Sequence, residues 1–471
     1  MYIKLQYTFK GKRVQPETVR QLYIQGQIDA LGISALYAQH RLSPLAFTEA
    51  CLTAAENIPS VFISLTPARA REEAEASMQR WRQGQPLSPL DGIPVAWKDL
   101  FDLQDCQTTA GSSTRQHVSP ARQDAPVVAR CAAAGMVTIG KTNLSEFAFS
   151  GLGLNPAFGT PVIRSSAGSL HAPGGSSSGA GRAVAEGLAC IAFGTDTGGS
   201  IRIPAAFSGI TGYRASRGRY AMDAVFPLAR SLDTLGPLCR SVRDAIALDD
   251  ILCGPGTTAF PEPRFRVDDA LLMTCQPAVR DNGLRMLDRL DAAGFAIDRQ
   301  PLTAFTQALD WIAEKGWPGG REAWLLHRLL LASPDAERMD ARVRERLLAA
   351  SEQDPAVLDT FLTQRQQWQQ ALAAELAGAI LITPTVAHTA PELGPLMQDS
   401  ALFAQTNVAT LRLTMPGSLL DMPGIALPSG TDDRGLHTSL LFSLPAGEDR
   451  RLLHAASRLA GLFTADDSVC A

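Results

Sequence analysis

Three stretches of this 471-residue chain carry residue types and spacings that could do chemistry. Gly135-Met-Val-Thr-Ile-Gly140-Lys141-Thr142 satisfies the phosphate-binding pattern GxxxxGK followed by Ser or Thr, letter for letter. Gly175-Ser-Ser177-Ser-Gly179 is a formal GxSxG, the spacing of a nucleophilic serine on a sharp turn. The third is a constellation: Gly92-Ile-Pro-Val-Ala-Trp-Lys98-Asp99, then Pro173-Gly-Gly-Ser176-Ser-Ser-Gly179, then Gly194-Thr-Asp-Thr-Gly-Gly-Ser200-Ile-Arg202-Ile-Pro204. Each piece alone has a bland reading, a surface lysine, a flexible serine-glycine loop and an ordinary turn before a helix, and it is their combination that carries information.

The elements that would have to position these residues discriminate among the three. A phosphate loop needs a strand before its first glycine and a helix after its lysine. Here Ala125–Ala134 has a helical pattern and Met136–Ile139 is apolar and β-branched, hence a strand. Backbone N–H groups committed to a sheet cannot cradle a phosphate. A nucleophile elbow needs a buried strand leading in, whereas Ser165–Gly174 reads as polar and flexible. The downstream His327, His388, His437 and His454 sit in no recognisable setting.

Around the motifs, residues 17–80 read as helical, with Glu17–Gln27 and Ala68–Trp81 as examples. Gln83–Pro94 breaks the periodicity, and from there to Gly254 short β-type runs alternate with helical ones, the pattern of an α/β core. Residues 303–377 turn helical again. Asp354 is expected to cap a helix with Pro355 at its first position, running to Gly378, and Ala379–Thr383 reads as a buried strand.

Composition narrows the function classes. Hydrophobic residues make up 45% and charged residues 19%, enough for a large core. Lys plus Arg is 43 against 47 for Asp plus Glu, a net charge of −4, without the basic excess of a nucleic-acid binder. The start, Met1-Tyr-Ile-Lys-Leu-Gln, lacks the features of a secretory signal. No apolar run reaches the roughly 18 residues of a membrane span. The eight cysteines, Cys51 to Cys470, are scattered singly, which reads as reduced thiols in the cytoplasm. Histidine spacing suggests no metal site.

Taken together, the three pieces of the constellation resemble the amidase signature family, amide hydrolases with a Ser-cisSer-Lys triad. The resemblance is strong over residues 85–255. It includes Asp124-Ala-Pro-Val-Val, Gly140-Lys-Thr-Asn143 with Glu146-Phe147, and Ser231-Leu-Asp-Thr-Leu-Gly236-Pro237. It resumes at Leu381-Ile-Thr-Pro384-Thr385 and Met422-Pro-Gly-Ile-Ala-Leu-Pro428, and Ser200 follows Ser176 by 24 residues. Departures occur at Ser178, at Gly212-Tyr-Arg-Ala-Ser216 and at Ile163-Arg-Ser165, none of them in the catalytic set.

The resemblance implies an α/β fold with a large mixed, twisted sheet covered by helices on both faces. It implies one domain over 1–471: a helical part at 1–80, the signature core at 85–255, a mostly helical peripheral insertion at 258–378 and a return to the core at 379–471. It assigns Ser200 as nucleophile, Ser176 as bridging serine and Lys98 as base. Lys98 must be neutral to accept a proton, and burial is how a lysine becomes so. Thr197, Gly198, Gly199 and Ser200 supply the oxyanion hole, while Gly174, Gly175 and Ser177 support the loop. Asp196 and Arg202 flank the nucleophile and are expected to pair and hold the loop or to serve as a purely structural pair, with no catalytic role assigned. Neither metal nor organic cofactor is implied. The expected partner is a small-molecule amide in the cytoplasm, with no nucleic acid and no membrane, and a homodimer is left open. The alternatives are the glutaminase component of a tRNA-dependent amidotransferase, supplying ammonia, and an inactive scaffold member. The departures at the serine loop and after Gly212 favour the stand-alone hydrolase.

Overall fold

The computed structural model describes residues 13–256 and 259–463. The chain's first residues and Cys470 lie outside them. Eleven strands form one sheet. In spatial order they are Phe62–Leu65, Val137–Thr142, Pro94–Lys98, Ile191–Asp196, Thr234–Cys239, Thr211–Arg214, Gly424–Thr431, His437–Ser443, Ile380–Pro384, Phe265–Val267 and Ile297–Arg299. The sheet is mixed: Pro94–Lys98 runs parallel to both its neighbours, and Ile191–Asp196 pairs antiparallel with Thr234–Cys239. Every residue of these four central strands is buried, so helices cover both faces. Eighteen α-helices are described around the sheet.

The local reasons are visible in the chain. Pro94–Lys98 is Pro-Val-Ala-Trp-Lys, and Trp97 stacks on Phe193 of the next strand with ring centroids 4.6 Å apart and planes 7° apart. That contact fixes the register of two parallel strands. Both strands therefore end at the same edge of the sheet. Lys98 is the last residue of one, and Thr197–Ser200 follows the last residue of the other. The C-terminal edge of parallel strands is where α/β sheets place ligands.

Some expectations need correction. The 17–80 stretch is not helical throughout: Phe62–Leu65 is an edge strand, because Val137–Thr142 offers it an antiparallel partner. The helix expected from Pro355 begins at Val357. Asp354 instead caps a turn, accepting the N–H of Ala356 on its carboxylate and of Val357 on its carbonyl. Ala377, one residue before Gly378, takes the left-handed position at the helix end. The stretch 258–378 is mostly helical and also lends the sheet two strands, Phe265–Val267 and Ile297–Arg299. Within 165–174, Leu170–His171 pairs with Ile163–Arg164 and His171 is buried.

The apparent phosphate loop is a helix, Pro126–Ala133, followed by a strand that runs through Gly140, Lys141 and Thr142. Among the described residues, seven cysteines stand free and no helix is long and apolar enough to cross a membrane.

Candidate active site

Lys98 and Ser176 are fully buried, and Ser200 is 5% exposed. The Lys98 Nζ donates to Ser176 Oγ at 2.7 Å and to Thr195 Oγ1 at 2.9 Å. Burial pulls the Lys98 pKa from its usual 10.5 down to about 7, although the Asp196 and Asp233 carboxylates push it upward. A lysine in that state is neutral in a large fraction of molecules near neutral pH and can take a proton.

Ser176 sits on a loop wedged between neighbours. Its carbonyl accepts the N–H of Ser145 at 3.1 Å, and the Gly175–Ser176 peptide bond is cis. A Cβ on Gly175 would lie 2.5 Å from the backbone nitrogen of Gly153, so only glycine fits. Ser177 donates its N–H to the carbonyl of Ser200 at 3.3 Å, which ties the two serine loops together. The helix Ser178–Ala185 begins directly afterwards. The Ser177 hydroxyl donates to the carbonyl of Thr195 at 3.4 Å rather than to a histidine. The elbow reading of GxSxG therefore fails: His388 bonds Thr389 and Thr410, and His327 packs on Phe147.

The stretch Thr197–Ser200 is braced on every side. Thr197 donates its hydroxyl to Asp233 at 2.6 Å, and Thr414 donates its hydroxyl to the carbonyl of Gly198 at 2.6 Å. Gly199 has φ +140°, and a Cβ there would lie 2.3 Å from Thr414 Oγ1. Asp196 and Arg202 form a buried ion pair at 2.8 Å, and Asp196 also accepts the N–H of Ile201 at 3.1 Å. Burial acts to raise the Asp196 pKa, but the charges of Arg202 and Arg214 and the hydrogen bonds from Arg202 and Ile201 together outweigh it and hold the carboxyl at about 2. Among the described residues, no acceptor takes the backbone N–H of Thr197, Gly198, Gly199 or Ser200. Four consecutive free donors in a buried loop are suited to an anionic oxygen.

Lys141 is also fully buried, and its ammonium forms an ion pair with Asp99 at 2.7 Å and donates to Thr108. It serves the structure behind Lys98 and is not presented to a phosphate. Among the described residues, no group of three His, Cys, Asp or Glu side chains gathers to hold a metal ion. A groove of about 1760 Å³, lined in part by Arg182, Arg240, Arg285 and His437, is not lined by Lys98, Ser176, Ser177 or Ser200.

The sequence profile of the Amidase family matches residues 46–453. The chain belongs to the amidase family. A 2-amino-5-chloromuconic acid deaminase of Comamonas testosteroni is 33% identical over 84% of this chain and 87% of its own. A mandelamide hydrolase of Pseudomonas putida is 29% identical over 91% of this chain and 90% of its own. A component of the glutamyl-tRNA(Gln) amidotransferase of Symbiobacterium thermophilum is 30% identical over 88% of this chain and 90% of its own. A crystal structure of an amidase superposes with a TM-score of 0.81 at 31% identity, covering 93% of this chain and all of that one. Hydrolysis of an amide C–N bond, the activity expected from the sequence, is that of this family.

Sequence reasoning assigned no role to three residues of the site. Thr195, which accepts from Lys98, and Asp233, which accepts from Thr197, lie inside the motifs already quoted, so their neighbours were the signal. Thr414 lies 216 positions beyond Gly198, and nothing near it in sequence marks it.

Proposed function

We propose that the chain hydrolyses a small carboxamide through an acyl-enzyme on Ser200. The observation that carries this reading is the 2.7 Å hydrogen bond between a buried, readily neutralised Lys98 and Ser176, on a loop bonded to the backbone of Ser200. Ser200 Oγ attacks the amide carbonyl while its proton passes to Ser176, whose own proton passes to Lys98. The oxygen of the tetrahedral intermediate takes hydrogen bonds from the N–H groups of Thr197 to Ser200. As the intermediate collapses, the C–N bond breaks, and the proton returns from Lys98 through Ser176 to the leaving nitrogen. Water then attacks the ester. Its proton follows the same path inward, and Ser200 is restored as the acid leaves.

In this reading Gly174, Gly175 and Ser177 hold the bridging serine in place, and no metal or organic cofactor takes part. The chain works as one domain in the cytoplasm on a small molecule. The test treats the purified chain with a fluorophosphonate and maps the adduct by mass spectrometry, alongside ammonia release from a panel of primary amides. Adduct on Ser200, abolished in Ser200→Ala, is the expected result. Adduct on Ser177 with Ser200 unmodified would overturn the assignment. Turnover of glutamine alone, and only with charged tRNA and a further protein component, would make the chain part of an amidotransferase.

A further inference from the structure

The groove of about 1760 Å³ lies away from the serine loops and collects positive charge. Arg240 follows Cys239, whose cross-strand partner Ile191 begins the strand that ends at Asp196. The groove therefore sits at the opposite edge of the sheet from Thr197–Ser200, about 17 Å away along that strand. Arg164, Arg182, Arg240, Arg285 and Arg289 line it, and Glu186 is the one acidic residue among its described lining residues. The whole chain carries a net charge of −4, so this cationic surface runs against the protein's average.

Arg182 is paired with Glu186. Among the described residues, Arg240 and Arg285 hydrogen-bond only to uncharged groups. Arg240 donates to the carbonyls of Val184 and Ala185 and lies over the Tyr23 ring, and Arg285 donates to the Asn282 amide oxygen. The cationic groups are contiguous. His437 pairs across its hairpin with Thr431, whose carbonyl accepts the Asn282 amide at 3.0 Å. Arg182 and Arg240 stand close to His437: burial first, and then their charges, lower its pKa to about 4. His437 is thus neutral, and the guanidiniums keep the charge.

Leu22, Ile24, Leu170 and Leu462 line the same groove, and Leu170 is 40% exposed. The volume exceeds the roughly 300–1,000 Å³ of a small-molecule pocket. The arginines come from separate elements: Ile163–Arg164, Ser178–Ala185, the residue after Thr234–Cys239, and Pro277–Ala292. Cations dispersed among apolar residues suit a chain that presents carboxylates and apolar side chains together. The close-set charges of a polyphosphate or a nucleic-acid backbone would leave the leucines without a partner.

We propose that the groove docks an extended, acidic segment of a partner protein, its carboxylates on Arg240 and Arg285 and its apolar side chains against Leu22, Leu170 and Leu462. Side chains on one face of an extended chain recur every second residue, about 7 Å apart, so acidic and apolar residues can alternate along it. Docking leaves Lys98, Ser176 and Ser200 uncovered, and the proposal stands apart from the amide reaction.

The probe is a fluorescent peptide of alternating Glu and Leu, about a dozen residues long, titrated into the full chain and read by anisotropy. Micromolar binding is expected, weakened at least about tenfold between roughly 50 and 500 mM salt. A Lys–Leu peptide of the same length should not bind. Arg285→Glu should weaken binding at least about tenfold, and Arg285→Lys should keep most of it. Arg164→Glu, at an exposed residue, is the second charge reversal, and thermal unfolding checks that each variant is folded. Ser200→Ala should bind the peptide as wild type does. No binding of the Glu–Leu peptide at low salt, or undiminished binding by both reversal variants, would overturn the proposal. Equal affinity for a Glu–Ser peptide or for tripolyphosphate would make the groove a site for bare anions and overturn it as well. A wild-type dimer in sedimentation that Arg285→Glu dissociates would assign the groove to a second copy of this chain in place of the partner.

Discussion

Thr197 and Asp233 face each other just beyond the ends of two antiparallel strands, and the Thr197 hydroxyl donates to the Asp233 carboxylate at 2.6 Å. The other carboxylate oxygen accepts the N–H groups of Leu228 and Ala229 at 2.9 and 3.0 Å. Burial pushes the Asp233 pKa up to about 6 in spite of these bonds. One buried carboxylate thereby clamps the first residue of the Thr197–Ser200 loop, the proposed oxyanion hole, and faces Lys98 electrostatically.

That double role predicts a pH effect. As the proposed base, Lys98 would act only when neutral, so kcat/KM is expected to fall on the acid side with an apparent pKa near 7. The Asp233 charge favours protonated Lys98 and raises this pKa. Asp233→Asn removes the charge, so the acid limb moves to lower pH while the plateau drops from the loosened loop. A pH–rate profile that keeps its acid limb in place would separate Asp233 from the base.

Burial of Lys98 also predicts a stability signature. Its folded pKa is about 7 and the ordinary value is 10.5, so between these the unfolded chain binds more protons. Stability from this group therefore rises with pH over that window. Relative to Lys98→Met, wild type should gain roughly 3 kcal/mol between about pH 7 and pH 10 in denaturant unfolding. Lys98→Arg keeps the charge at every pH, and its activity should be lower by several orders of magnitude, scored as ammonia release.

Gly199→Ala forces a side chain into the position of Thr414 Oγ1 and into a left-handed backbone. A loss of about 1–3 kcal/mol in stability and a much larger loss in kcat are expected. Thr414→Val deletes the bonds of this hydroxyl to the carbonyls of Gly198 and Leu411. It should lower kcat about tenfold with little change in KM, because a mispositioned oxyanion donor is felt in the transition state.

Lys141→Met leaves Asp99 buried without its partner. Destabilisation of about 3–5 kcal/mol is expected, read by chemical denaturation. Calorimetry with magnesium and ATP should show no binding in wild type. Micromolar binding lost in the variant would restore the phosphate-loop reading.

Sequence by itself determined the family and the motifs that hold the proposed reacting groups. Ser176, Ser200, the glycines around them and the Asp196–Arg202 pair lie within two short segments, and local spacing is what motifs record. The helix before Gly135 and the strand after it were legible for the same reason, since periodicity is a local property. Tertiary structure decided everything that depends on distant parts of the chain meeting. Lys98 comes within 2.9 Å of Thr195 because two parallel strands end at one edge of the sheet, and within 2.7 Å of Ser176, 78 positions away, because the serine loop folds against Ser145, Gly151 and Ser200. Its pKa near 7 follows from the burial that this packing imposes. Phe62–Leu65 became a strand through a partner that no local pattern announces. Thr414, Asn407 and Arg346 sit on elements far beyond the motifs. Their hydrogen bonds to Gly198, Gly151 and Phe149 exist only once those elements fold back over the serine loops.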